Sequence, residues 1–147
     1  MKAIEMSDAE SVARISRDAR RDAIPNLPDL YTRAQDLKFF QSQIATKSGY
    51  VWVNEHGSVV AFVMWMDGFI DHLYVDPDQQ RAGIGTLLLN EAMAAMAVSD
   101  VKLWTFQSNV RAVSFYIKNG FSILDETDGH RNDERLPDYL FVRAAAH

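Results

Sequence analysis

Cysteine is absent from the 147 residues, which excludes a disulfide framework, a thiolate metal site and a cysteine nucleophile. A basic surplus is absent too. The formal net charge is −5, whereas a general nucleic-acid binder needs excess lysine and arginine to neutralise phosphates. No apolar run is long enough to span a bilayer, and the start "MKAIEMSDAE" carries acids where a signal peptide needs an apolar core. These absences predict a cytoplasmic protein that engages neither nucleic acid nor membrane. A small anionic ligand stays open, because backbone N–H groups and one or two arginines can hold a pyrophosphate even on an acidic protein.

What is present is an apolar fraction of 48%, enough for one well-buried core in a single domain over residues 1–147. "KAIEM" alternates like a short strand. "SDAE" then has capping-box spacing from Ser7 to Glu10, and Ala9, Val12, Ala13 and Ser16 follow on one helical face. Two prolines in "IPNLPDL" end that helix. Thr32 opens a second box, "TRAQ", with Leu37, Phe40 and Ile44 as its stripe. Three strand-like runs come next: "YVWVN", "VVAFVMWM" and "FIDHLYV". The last two flank Asp67 and Gly68, a strong hairpin pair. A third helix runs from Gly85 to about Val98 with Leu88, Ala92, Ala95 and Met96 on one face. "VKLWTF" is a strand, "VRAVSFYIKN" a helix stopped by Gly120, and "FSILDET" and "YLFVR" are strands around a polar loop. Seven strands and four helices in this order predict an α/β (α+β) three-layer domain with a mixed, mostly antiparallel sheet. The regular alternation of a doubly wound nucleotide fold is missing.

The stretch "HLYVDPDQQRAGIG", residues 72–85, leaves a strand and enters a helix on two glycines. An isolated G-x-G can be a turn that needs glycine only for positive φ. A dinucleotide fingerprint requires a small residue where Leu88 stands, and a P-loop requires lysine after the last glycine, where Thr86 stands. What is left is a Q-x-x-G-x-G loop whose N–H groups, from Arg81 to Thr86, can converge on one anion at a helix start. In "NVRAVSFYIKNGF", Asn109 is a cap candidate, and Ala112, Phe115 and Tyr116 share a face.

"LYVDPDQQRAGIG" resembles the acyl-CoA-binding motif of the GNAT superfamily of N-acetyltransferases. "NVRAVSFYIKNGF" resembles that superfamily's following motif, and the strand order resembles its core over essentially the whole chain. The resemblance implies a GNAT-like fold and an enzyme that moves an acetyl group from acetyl-CoA, without a metal, to a primary amine by direct attack in a ternary complex. It implies that Leu73, Tyr74 and Val75 hold the acetyl and pantetheine arm through backbone groups. The loop of Arg81, Ala82, Gly83, Ile84, Gly85 and Thr86 would wrap the pyrophosphate. Asn109 would bond the pantetheine amides, and Tyr116 would protonate the leaving thiolate. The acceptor could be a small-molecule amine or a peptide or protein amine, and a homodimer is compatible with the resemblance. A non-catalytic acyl-CoA-binding module is the competing class, and Tyr116 separates the two, since a pure binder needs no acid at the sulfur. An acyltransferase using another acyl group is a third reading, made less attractive by the bulky Trp52 and Trp65.

The chemistry needs a neutral amine. An alkyl amine of pKa ~10.4 is only about 0.04% neutral at pH 7, an apparent penalty of ~4.6 kcal/mol that a general base offsets in part. GNAT enzymes place a Glu or His on the strand matching "FIDHLYV", at Phe69 or Asp71, and only Asp71 titrates. Asp71 is therefore the candidate base, acting through water, against the alternative of a plain polar residue at a strand edge. Strict alternation puts Phe69, Asp71, Leu73 and Val75 on one face and Ile70, His72 and Tyr74 on the other, which ranks His72 second. His56, His130 and His147 lack metal-ligand spacing. In the GNAT-like fold, Tyr31 and Asn132 fall in the loops that flank the acetyl end, and they are the acceptor-side candidates.

Overall fold

The computed structural model describes residues 1–79, 83–97 and 99–144. Its elements run β1 (Lys2–Ala3), α1 (Ala9–Ala23), α2 (Arg33–Thr46), β2 (Ser48–Val53), β3 (Val59–Met66) and β4 (Phe69–Val75). There follow α3 (Ile84–Met96), β5 (Asp100–Phe106), α4 (Val110–Lys118), β6 (Ser122–Thr127) and β7 (Asp138–Ala144). The seven strands form one sheet in the order β1-β2-β3-β4-β5-β7-β6. Every pairing is antiparallel except β4 with β5.

Helices cover the two faces separately. Val12, Ala13 and Ile15 of α1 and Phe40 of α2 pack on Val51, Phe62 and Met64. Across the sheet, Ala61, Val63 and Trp65 pack with Leu88, Leu89 and Ala92 of α3 and Tyr116 of α4. Successive residues of β3 thus enter opposite cores, which is why "VAFVMW" reads as an unbroken apolar run rather than an alternation.

Several local features follow the sequence closely. Thr32 and Gln35 close the expected capping box: Thr32 Oγ1 accepts from Gln35 N (3.1 Å), and Gln35 Oε1 accepts from Thr32 N (2.8 Å). Asp67 and Gly68 have φ of 52° and 81°, the two left-handed residues that the tight hairpin between Met66 and Phe69 requires. Two expectations need correction. At the entry to α1 the box expected from Ser7 to Glu10 is replaced by one between Glu5 and Asp8 around the single turn Met6–Asp8. The Asp8 carboxylate accepts from Glu5 N (2.8 Å) and Lys2 Nζ (3.0 Å), and as the N-cap residue of α1 Asp8 makes no side-chain cap bond. On α3 the buried stripe is Ile84, Leu88, Leu89, Ala92 and Met93, and Ala95 is exposed. The helix ends at Met96, with Ala97 in a left-handed C-cap conformation (φ 50°), short of the expected end at about Val98, a residue outside the described ones. Among the described residues no helix is long and apolar enough to cross a membrane.

One irregularity positions the site. Opposite Met64 and Trp65 the register shifts, so that Met64 faces His72 while Trp65 faces Ile70. Asp71 is the extra residue of a β-bulge. A bulge resets the side-chain alternation of everything beyond it.

Candidate active site

β4 and β5 pair in parallel at a single position, Phe69 with Lys102, closed by Lys102 N donating to Gly68 O (2.9 Å). Beyond it the two strands diverge, and a cleft of about 1560 Å³ opens between Ile70, Leu73 and Tyr74 on one side and Leu103, Trp104 and Phe106 on the other. That volume exceeds the ~300–1,000 Å³ of a typical small-molecule pocket. It passes through the sheet, reaching α3 and α4 on one face and α1, α2 and loop 128–137 on the other.

On the first face, α3 begins at Gly83, whose φ of +100° is a left-handed conformation suited to glycine. Among the described residues no side chain caps this helix start, and Leu87 N donates to Gly83 O (2.9 Å). The N–H groups of Ile84, Gly85 and Thr86 therefore lack intrahelical acceptors. A Cβ on Gly83 would meet nothing within 4 Å, whereas one on Gly85 would lie 3.3 Å from the Phe115 ring. Gly85 thus serves helix–helix packing as well as any ligand. Arg81 and Ala82 lie outside the described residues.

Asn109 is the N-cap of α4, its Oδ1 accepting from Ala112 N (3.2 Å). Its Nδ2 has no protein partner among the described residues, and the residue lines the cleft. About two helical turns on, Tyr116 is buried against Phe115, Phe121 and Phe141. The Tyr116 hydroxyl makes no hydrogen bond among the described residues. Burial, and then the neighbouring Tyr74, push its pKa up. Trp52 and Trp65 pack into the core beneath α3 and are not among the cleft-lining residues, so they do not constrict an acyl channel.

The bulge corrects the face assignment on β4. Ile70, Leu73 and Val75 pack towards α3, and Asp71 and His72 lie near the end of α2. Asp71 is ion-paired with Lys47 Nζ (3.1 Å) and lines the cleft. His72 is unsuited to catalysis by protonation. Its ring is packed among Phe39, Phe40, Phe62 and Tyr74, and its Nε2 lies 3.0 Å from Gln43 Oε1. Burial, followed by the charges of Lys47 and Arg20, drives its pKa down to about 3. Among the described residues no three acidic or histidine side chains are grouped to hold a metal ion.

On the second face the two flanking loops meet. Tyr31 Oη donates to Asp133 Oδ2 (2.6 Å), and Arg20 Nη2 donates to Glu134 Oε1 (3.2 Å). Tyr31 thus lines the cleft with its hydroxyl engaged. Asn132 is turned inward: Nδ2 donates to Leu136 O (2.7 Å) and Asp138 Oδ2 (3.3 Å), and Oδ1 accepts from Leu136 N (3.1 Å). Its side chain shapes the loop. Arg17, Arg20, Asp133 and Glu134 were not anticipated. A charged loop gives no sign in sequence of which distant charge it will meet.

Residues 47–123 match the acetyltransferase (GNAT) domain family. The chain is 31% identical over 121 residues to the peptidyl-lysine N-acetyltransferase YiaC of Escherichia coli, covering 82% of this chain and 71% of that protein. Its fold is shared with apo YjaB from Escherichia coli (TM-score 0.78, 23% identity, 99% of this chain and 95% of that one). Ard1 from Thermoplasma volcanium is similar as well (TM-score 0.75, 24% identity, 99% and 97%). Parted strands, glycine-led helix and matching profile agree: the chain belongs to the GNAT family of N-acetyltransferases, and is an acyltransferase.

Proposed function

We propose that this chain transfers an acetyl group from acetyl-CoA to a primary amine, with a lysine side chain on a peptide or protein as the favoured acceptor class. The divergence of β4 from β5 carries the proposal. It exposes a strand edge to an extended ligand, with the uncapped start of α3 at one end and the Tyr116 hydroxyl within. The preference for lysine rests on the likeness to YiaC.

Leu73, Tyr74 and Val75 hold the thioester and pantetheine through the backbone, and Asn109 Nδ2 donates to a pantetheine carbonyl. Gly83, Ile84, Gly85 and Thr86, with Arg81 and Ala82, surround the pyrophosphate, where backbone N–H groups and the helix dipole favour negative charge. The amine attacks the thioester carbon while both substrates are bound. A new C–N bond forms, the C–S bond breaks, and the ammonium proton leaves through water to Asp71. Tyr116 stands at the departing sulfur. Its pKa is raised above 10, so it is protonated throughout the working range, but full transfer to a thiolate of conjugate-acid pKa ~8.5 is uphill by at least ~2 kcal/mol. Tyr116 therefore stabilises the thiolate chiefly by donating a hydrogen bond as the bond breaks.

The competing role, binding acyl-CoA without transfer, leaves an unpartnered phenol in an apolar pocket unexplained. Two measurements test the proposal together. Acetyl-CoA at a hundredfold excess over its dissociation constant should stabilise the fold by ~2.7 kcal/mol. A lysine peptide should then release free thiol in proportion to the acetylated product. Stabilisation without thiol release from any amine would leave a binding module.

A further inference from the structure

Five lysines stand in the chain, and four of them lie away from the cleft. Lys2 pairs with Asp8 (3.0 Å) and Lys47 with Asp71 (3.1 Å). Lys102 lies on β5 opposite Phe69, and Lys118 ends α4. Lys38 differs from all four. It is exposed, it lines the cleft, and it makes no hydrogen bond or ion pair among the described residues.

Helix α2 sets this position. Gln35, Lys38, Phe39 and Ser42 have the i, i+3, i+4, i+7 spacing of one helical face, and all four line the cleft. The carboxylates that could capture the Lys38 ammonium are engaged elsewhere. Bridges from Tyr31 to Asp133 and from Arg20 to Glu134 occupy two of them, and Arg17 takes Asp36, two residues from Lys38. An ammonium on a flexible four-carbon stem, with no carboxylate holding it, keeps its rotamer freedom.

We propose that Lys38 is a self-acetylation site, modified by the chain's own bound acetyl-CoA. This rests on the acetyl-transfer reading above and adds to it an acceptor that the chain itself carries. Lys38 Nζ, once it has lost a proton, attacks the thioester carbon; a C–N bond forms and the C–S bond breaks. Of the three ammonium protons, one stays on the amide, one ends on the CoA thiol and one passes to solvent. The tether supplies the amine at an effective concentration on the order of millimolar, so no free acceptor is needed.

The test incubates the full chain with acetyl-CoA alone and locates acetyl groups by peptide mass mapping. Thiol release with an N-terminally blocked lysine peptide is followed in parallel. Lys38 should be acetylated at a rate per chain that is unchanged when the protein is diluted about tenfold, because both reacting groups belong to one chain. That rate should saturate with acetyl-CoA, as transfer from a bound donor must. Lys38→Arg keeps the charge and the helix propensity, so it should lose the modification and retain stabilisation by acetyl-CoA. A rate per chain that falls in proportion to dilution would make the acceptor a second copy. A rate that climbs with acetyl-CoA without saturating would be plain chemical acylation. Either result overturns the proposal. An unmodified Lys38 in a protein that acetylates the peptide overturns it too, while acetyl transfer stands. Acetylation of neither Lys38 nor the peptide overturns acetyl transfer itself, and self-acetylation with it.

Discussion

The two mouths of the cleft are built from different materials. At the mouth proposed for the cofactor the chain offers backbone: a strand edge, a left-handed Gly83 and a helix start that no side chain caps among the described residues. At the opposite mouth, proposed for the acceptor, it offers side chains already spent on one another, Tyr31 on Asp133 and Arg20 on Glu134. The helix starts make the same contrast within one face. α4 closes its own first turn with Asn109 Oδ1, whereas α3 leaves its first N–H groups open. A mouth made of open backbone donors suits a ligand whose shape never varies. A mouth made of paired side chains can be retuned by single substitutions without disturbing the first.

The largest effects should come from breaking the cofactor half. Gly83→Val puts a β-branched residue at a φ of +100° and a side chain into the open space where the pyrophosphate is proposed to lie. Stabilisation by acetyl-CoA, ~2.7 kcal/mol at a hundredfold excess, should vanish from thermal unfolding curves. Gly85→Ala sharpens the contrast, since its methyl group meets Phe115 at 3.3 Å rather than open space. It should lower the melting temperature of the free protein and leave most of the acetyl-CoA response. If the two variants lose that response equally, the division of labour between the glycines is wrong.

Tyr116→Phe should reduce kcat by roughly 10²-fold or more, the usual contribution of one hydrogen-bond donor to a developing anion, with acetyl-CoA stabilisation nearly intact. The ring keeps its contacts with Phe115, Phe121 and Phe141, and only a hydroxyl without a hydrogen-bond partner among the described residues is lost. Unaltered turnover would mean that the thiolate leaves without help from this residue.

The same contrast explains what could be read in advance. Backbone recognition writes itself into sequence as glycines at helix starts and as local periodicity, so the layout of strands and helices, the hairpin at Asp67 and Gly68, and the Thr32 box were all legible. The bulge at Asp71 was not. It depends on how β3 and β4 pair, and one inserted residue reversed the facing of Ile70 against the simple alternation. Asn132 was assigned to the right loop, but its amide is spent on Leu136 and Asp138. The bridges join residues 102 and 114 positions apart, and no local pattern marks such partners.

The smallest expected effects distinguish Asp71 from His72, which the bulge brings to the same end of α2. Asp71→Asn should lower kcat/KM about tenfold, as for a carboxylate that takes the amine proton through water. His72→Gln should change kcat/KM much less, because a ring with a pKa of about 3 is already neutral at every working pH. Stability is where His72 should register. Its folded pKa lies below the unfolded value of ~6.5, so the unfolded chain binds the proton more readily. The contribution is fully present above pH 6.5 and is lost as pH falls towards 3, at up to ~1.4 kcal/mol per pH unit. Urea unfolding of the wild type should therefore weaken between pH 6.5 and 4.5 more steeply than that of His72→Gln. Parallel profiles for the two proteins would mean that the ring reaches water in the folded state and that its aromatic surroundings do not hold it neutral.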